Sequence, residues 1–407
     1  MCADILQMSS SAYHSYPTHR PSMVTATFNQ NNSCIAVGFS DCYKVYNCDP
    51  FGECFSKNDD GGASIMEMLF STSLVAVVGT GDKPSTSTRK LKIVNTKRNT
   101  IICELSFSTA ILAVKLNRKR LVVVLYDQLF IYDISCMKQL KTIETVPNRL
   151  AIASLSADDS SILAYPSSDF SSSNERHQLG ETVSTGGSGG VVLYDALNCE
   201  FITIIEAHKA QLQQICLSKD GSLLATTSHK GTLIRVFSTS SPFDKLYEFR
   251  RGSYQVRIQH LSFSHDNRYL SCCSNTGTIH FFKLDSSSAE EDGSEADREE
   301  RLIPQQGELS TEESTSVTNI FSQKGKYHLK EYLQQVSSRL PTNVQQNFTS
   351  LIEPQRDFAH IKLPSPSPTT IATIDSSNNV VVFSGTNLYV YHLKPGECVL
   401  LKKHSLT

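Results

Sequence analysis

No two cysteines in this chain stand at Cys-x-x-Cys spacing, although there are twelve of them. No Cys and His spacing has the pattern of a zinc site either, so no metal is expected. No apolar core segment lies in the first 21 residues, which are polar, so no secretory leader is expected. The cysteines therefore read as reduced, mostly buried small hydrophobes of an intracellular protein. No apolar run approaches the ~20 residues of a membrane-spanning helix. The longest candidate, 121–134, is broken by Tyr126-Asp127-Gln128. Any membrane contact must be peripheral. There is no charge excess: 38 Lys and Arg against 40 Asp and Glu leave −2, which argues against a basic nucleic-acid binder. No metal cluster, no credible pairing of nucleophile and base and no nucleotide loop can be read, so an enzyme and a cofactor are not expected.

What is present is an all-β pattern. Runs of β-branched and aromatic residues, punctuated by Gly, Asn, Asp and Ser, recur along most of the chain, and long helical periodicity is nearly absent. The runs repeat. Leu217-Ser218-Lys219-Asp220-Gly221 opens a segment ending at Val236-Phe237, and Phe263-Ser264-His265-Asp266-Asn267 opens one ending at Phe281-Phe282. A shift of 46 residues superimposes Asp220 on Asp266, Ser228 on Ser274, Gly231 on Gly277 and Thr232 on Thr278. Each segment reads as strand, turn, strand, tight turn, strand, which is one propeller blade of the WD40 type. Weaker copies begin near Phe28, Phe70, Val114 and Leu155, and a last one covers 371–393. There is no Trp for the usual Trp-Asp pair, and Tyr132-Asp133 and Tyr194-Asp195 stand in its place.

Seven blades are expected. Setting aside a disordered tail (1–21), a Ser/Gly-rich loop (167–190) and a polar insertion (285–353) leaves about 42 residues per blade, within the expected range. The fold class is thus a seven-bladed β-propeller spanning 22–407, closed so that few sheet edges are exposed. Residues 285–313 are acidic and of low complexity. After them Phe321, Leu329, Tyr332, Leu333, Val336 and Leu340 mark a short basic amphipathic helix over 321–340. It could lie on a membrane or pack on the propeller wall.

Between the two clearest blades stands Glu248-Phe249-Arg250-Arg251-Gly252. Successive side chains of a strand point in opposite directions, so one strand can deliver a guanidinium to each of two neighbouring pockets. Arginine suits phosphate, because its planar fork donates two parallel hydrogen bonds and stays charged. Gly252 is expected to allow close backbone approach or positive φ. Thr226, Ser228, Lys230, Gly231, Thr232 and Arg235 offer polar groups on one side, and Ser274, Asn275, Thr276, Thr278 and His280 on the other. Hydroxyls, a glycine turn and a cation make a phosphate cradle.

The segment Leu246-Tyr247-Glu248-Phe249-Arg250-Arg251-Gly252 resembles the motif of the PROPPINs, a family of phosphoinositide-binding propellers that includes the WIPI proteins. Val78-Gly79-Thr80-Gly81, the stretch from Ile111 to Arg118, and Asp357-Phe358-Ala359 resemble other parts of the family. Phe249, where other branches carry Leu, resembles the branch of autophagy-related protein 18. The resemblance implies binding of phosphatidylinositol 3-phosphate and phosphatidylinositol 3,5-bisphosphate at two rim sites. Arg250 would serve one with Thr226, Ser228, Gly231, Thr232 and Arg235. Arg251 would serve the other with Gly252, Ser274, Thr278 and His280. It also implies that the blade-6 insertion contacts the bilayer through the amphipathic stretch. A basic patch, Arg118, Arg120 and Lys138, would contact autophagy conjugation machinery, with lipid-transfer proteins as further partners. The expected protein is a monomer in solution, cytoplasmic and peripheral to phagophore, endosomal or lysosomal membranes.

Other readings stand beside this one. The arginine pair could serve a generic adaptor that binds acidic or phosphorylated proteins, or an endosomal or lysosomal remodelling scaffold. His280 alone is a common structural strand residue. Gly186-Gly187-Ser188-Gly189-Gly190 has the nucleophile-elbow spacing but sits in a linker with no following helix.

Overall fold

The computed structural model describes residues 22–58, 61–168, 189–284 and 354–406. The predicted tail, most of the loop 167–190 and the whole insertion 285–353, including the amphipathic stretch 321–340, lie outside the described residues.

Seven sheets follow one another, each built from four antiparallel strands consecutive in sequence, except that the sixth gains a fifth, parallel strand, Gly396–Glu397, which is drawn from between the last two strands of the seventh. We number them as blades. Blade 1 runs from Met23–Phe28 to Gly52–Lys57, blade 2 from Ala63–Met68 to Thr100–Ser106, and blade 3 from Ala113–Leu116 to Lys138–Glu144. Blade 4 runs from Ser154–Leu155 to Glu200–Glu206, blade 5 from Leu212–Leu217 to Lys245–Arg250, and blade 6 from Ile258–Phe263 to Ala359–Lys362. Blade 7 begins at Thr370–Ile374 and ends at Val399–Ser405. That last strand had no counterpart in the sequence repeat. Gly190, assigned to the flexible loop from sequence, is the first residue of the third strand of blade 4.

Composition explains the layering of each blade. Second strands such as Leu223–Ser228 and Tyr269–Ser274 are buried almost throughout and rich in apolar and small residues. Fourth strands such as Lys138–Glu144 are polar and exposed. In blades 1 to 5 the register slips once between third and fourth strands, as at Val236/Phe237, a bulge that increases local twist.

The sequence repeat is turn chemistry. Ser218 Oγ donates to Asp220 Oδ1 at 2.6 Å and accepts from the Leu223 amide at 2.9 Å. Ser264 makes the same two bonds, to Asp266 and from Tyr269, at 2.6 and 2.9 Å. The tight turns repeat too: Gly231 and Gly277 both have positive φ and donate to the carbonyls of Ser228 and Ser274.

The described residues form two compact units. One holds blades 1 to 3 with residues 385–388 and 404–406, and the other holds residues 152–384 and 389–403. In the first, apolar clusters fill the spaces between blades 1 and 2 and between blades 2 and 3. In the second, clusters lie between blades 4 and 5, 5 and 6, and 6 and 7. The candidate site lies wholly within the second unit.

Candidate phosphate-binding site

Phe249 organises the site. Its side chain is 0% exposed and stacks on Phe282 of blade 6 at 4.8 Å and on Tyr247 at 5.6 Å. Burying an aromatic of this size contributes about 2–3 kcal/mol. With Phe249 fixed toward blade 6, strand alternation puts Glu248 and Arg250 on the opposite face, toward blade 4. Arg251 follows the strand end and turns back toward blade 6.

The first cradle lies on the blade-4 side. Thr226, Arg235 and Glu248 form one cross-strand row. Arg235 Nε pairs with Glu248 Oε2 at 2.8 Å, Lys245 Nζ with the same oxygen at 3.0 Å, and Arg235 Nη1 donates to Ala207 O at 2.7 Å. His208 Nε2 lies 3.0 Å from the buried Thr226 Oγ1. Burial, reinforced by the Arg235 charge, pushes His208 down to about 4. Glu248 lies below its ordinary value because Lys245 and Arg235 outweigh the opposing effect of burial. Arg250 pairs with Leu233 across the sheet, and its amide donates to Gln355 O at 2.8 Å.

The second cradle lies on the blade-6 side. Arg251 Nε donates to Gly231 O at 2.7 Å and Nη2 to Tyr254 O at 2.6 Å. Ser274 Oγ lies 2.8 Å from Thr276 Oγ1 and 3.2 Å from Thr278 O. His280 Nδ1 lies 2.9 Å from Asp357 Oδ2, and His360 Nδ1 3.7 Å from the same oxygen.

Several sequence expectations need correction. Gly231 and Thr232, expected beside Arg250, also hold Arg251: Gly231 O receives Arg251 Nε and Thr232 O receives the Arg251 amide. Gly252 does not have positive φ, and a Cβ there would meet nothing within 4 Å, so its backbone does not require glycine. Thr232 does not match Thr278. The blade-5 turn is one residue longer than the blade-6 turn, so Leu233 and Thr278 each open the third strand. His280 therefore occupies the register position of Arg235. In the basic patch, Arg118 is exposed and lies 4.0 Å over the Phe70 ring, and Lys138 is exposed. Arg120 is only 11% exposed, donates to Lys119 O at 3.0 Å and sits 3.8 Å from Asp133, so it is not part of a free cationic surface.

Sequence reasoning missed His208, Glu248 as an ion-pair partner, Gln355, Asp357 and His360. The 46-residue shift carries His208 onto Tyr254, and both lie in the linker that enters their blade, but the residue types differ and no local pattern marks either. Among the described residues no group of His, Cys, Asp and Glu could hold a metal, and no helix is long and apolar enough to cross a membrane.

The PROPPIN family model matches residues 22–297. Autophagy-related protein 21 of Pichia angusta is 46% identical, with 93% of this chain and 98% of the relative aligned. Autophagy-related protein 18 of Yarrowia lipolytica is 44% identical over 93% of this chain and 95% of its own length. Among solved structures, the complex of KlAtg21 with the coiled coil of AgAtg16 matches at 33% identity and TM-score 0.67, over 95% of this chain and 100% of that one. Hsv2 of Kluyveromyces marxianus, at 16% identity and TM-score 0.65 over 95% and 100%, supports the fold alone. The fold is a seven-bladed β-propeller, and the close relatives are autophagy-related proteins. This chain belongs to the PROPPIN family.

Proposed function

We propose that the protein is a phosphoinositide effector in autophagy. It binds phosphatidylinositol 3-phosphate and phosphatidylinositol 3,5-bisphosphate through two rim cradles, one around Arg250 and one around Arg251, and recruits autophagy machinery to forming membranes. The observation that carries this reading is the buried Phe249, which commits adjacent arginines to opposite faces of one blade. The Arg251 guanidinium holds the Gly231 and Tyr254 carbonyls on the blade-6 side, and strand alternation directs the Arg250 side chain to the blade-4 side. Charge-assisted hydrogen bonds contribute about 1.5–3 kcal/mol each, so one headgroup is held modestly. Two sites on one rigid element gain by effective concentration, which makes the protein responsive to lipid density.

The tail 1–21 and the insertion 285–353 are proposed as appendages of one propeller, with residues 321–340 making the bilayer contact. The autophagy-protein partner is supported by the complex of a related propeller with a coiled coil. Arg118 and Lys138 would then present the usable charge of the patch, without Arg120.

The test is sedimentation with vesicles containing each phosphoinositide. Replacing both Arg250 and Arg251 by Thr is expected to abolish binding to the two 3-phosphorylated lipids while leaving the circular dichroism spectrum unchanged. Retained vesicle binding by a folded double variant overturns the two-cradle reading. Binding of a phosphopeptide but of no phosphoinositide would move the site to the adaptor class.

A further inference from the structure

The two cradles are not chemical copies. In equal register, Thr226 faces Arg235 in the first and Cys272 faces His280 in the second. Each basic residue leans on an acid, Arg235 on Glu248 at 2.8 Å and His280 on Asp357 at 2.9 Å. The guanidinium is charged at every physiological pH, whereas the imidazole is not. A carboxylate beside an anion site repels the ligand unless a cation neutralises it. In the second cradle Arg251 only cancels Asp357, so a net positive charge there needs a protonated histidine.

We infer that Asp357 is a positioning residue of the second cradle, holding His280 so that a phosphate monoester binds there together with a proton, while no protein group of the first cradle takes one up. The inference rests on the headgroup reading above and adds its regulation.

The groups facing His280 are few. Arg251 comes from blade 5 and His360 from the adjacent fourth strand, where it is the register partner of His280. Cys272 comes from the second strand, with a thiol that burial pushes up to about 12 and so keeps neutral. Asp357 comes from the segment that returns from the insertion. Burial lowers His280 below the usual imidazole value, the Asp357 hydrogen bond partly restores it, and Arg251 and His360 oppose that restoration. The free site at pH 7 therefore holds a neutral His280. A phosphoryl dianion beside the ring favours its charged form, so binding takes up a proton and affinity rises as pH falls toward the free-state value. In the first cradle the ring of His208, held near 4, stays neutral throughout this range, and Arg235 does not titrate.

Calorimetry with soluble inositol 1,3-bisphosphate between pH 5.5 and 8 tests this on the full chain. Arg250→Thr isolates the second cradle and Arg251→Thr the first. Both profiles carry the phosphate's own titration at about pH 6; relative to the Arg251→Thr protein, the Arg250→Thr protein is expected to gain about tenfold in affinity from pH 7.5 to 5.5, the equivalent of one pKa unit of coupling. Adding Asp357→Asn to Arg250→Thr is expected to move the midpoint of the rise to lower pH. On the unmutated protein, the His280 ring followed by NMR is expected to titrate at higher pH with the headgroup bound. That measurement stands even if Asp357→Asn does not fold. Binding with no rise of the Arg250→Thr profile over the Arg251→Thr profile, or an unmoved midpoint in folded Asp357→Asn, overturns the inference alone. Absence of headgroup binding at every pH overturns the headgroup reading as well. Vesicles of phosphatidylinositol 3-phosphate should reproduce the slope, and a slope seen only with vesicles assigns the effect to the membrane surface and overturns it.

Discussion

His208 is held in a state its free side chain would leave near neutral pH. Its pKa falls from 6.5 to about 4, first because the ring is buried and then because Arg235 is near. The folded protein therefore favours the neutral ring, and the unfolded chain binds a proton more readily. Stability from this residue is complete above about 6.5 and is lost as pH falls toward 4, by up to about 3 kcal/mol. Urea titrations at pH 7.5 and 5 should show the loss, and His208→Gln should show less of it; identical pH slopes would refute the assignment. The arginines of the neighbouring motif were legible because alternation is a property of the strand itself. His208 and Asp357 were not. They meet their partners, Thr226 and His280, across 18 and 77 residues of sequence, and no local pattern encodes such a meeting.

Turns carry much of the recognisable repeat. The Ser and Asp pairs at 218/220 and 264/266 satisfy backbone groups locally, so the repeat of blades 5 and 6 is readable from short motifs. What the motifs could not set was the register beyond them. One extra residue in the turn before Leu233 shifts every later position, and an ungapped alignment carries that error into the site. The two glycines of the site are predicted to behave oppositely. Gly231 has φ of +59°, and a Cβ there would collide with Val256 O. The left-handed conformation alone costs a non-glycine residue about 1–2 kcal/mol. Gly231→Ala should thus lower stability by at least that amount in denaturant titration. It should also weaken the second cradle more than the first, because the Gly231 carbonyl orients Arg251. Gly252→Ala should leave stability within about 0.5 kcal/mol, since its Cβ enters open space. A large loss of stability there would show that the backbone is constrained after all.

Charge is a property of the whole chain that its total conceals. Residues 285–313 hold eleven acidic and two basic residues, so the −2 of the full sequence is +7 once that segment is set aside. The segment belongs to the insertion between the third and fourth strands of blade 6, the blade that supplies the second cradle. The chain returns from that insertion directly onto the arginine strand: the Gln355 amide donates to Glu248 O, and Gln355 O accepts the Arg250 amide. The net −9 charge of that segment repels an anionic surface at long range. Deleting residues 285–313 should therefore raise the association rate with vesicles containing phosphatidylinositol 3-phosphate about tenfold at low salt, the lower end of electrostatic steering. Dissociation should change little. At about 1 M salt the screening length falls to about 3 Å, and the two proteins should associate at the same rate. Stopped-flow measurements at both salt concentrations separate the outcomes. Equal rates at low salt would mean that the acidic segment does not oppose approach, and a difference that persists at high salt would mean that it acts by covering the cradles.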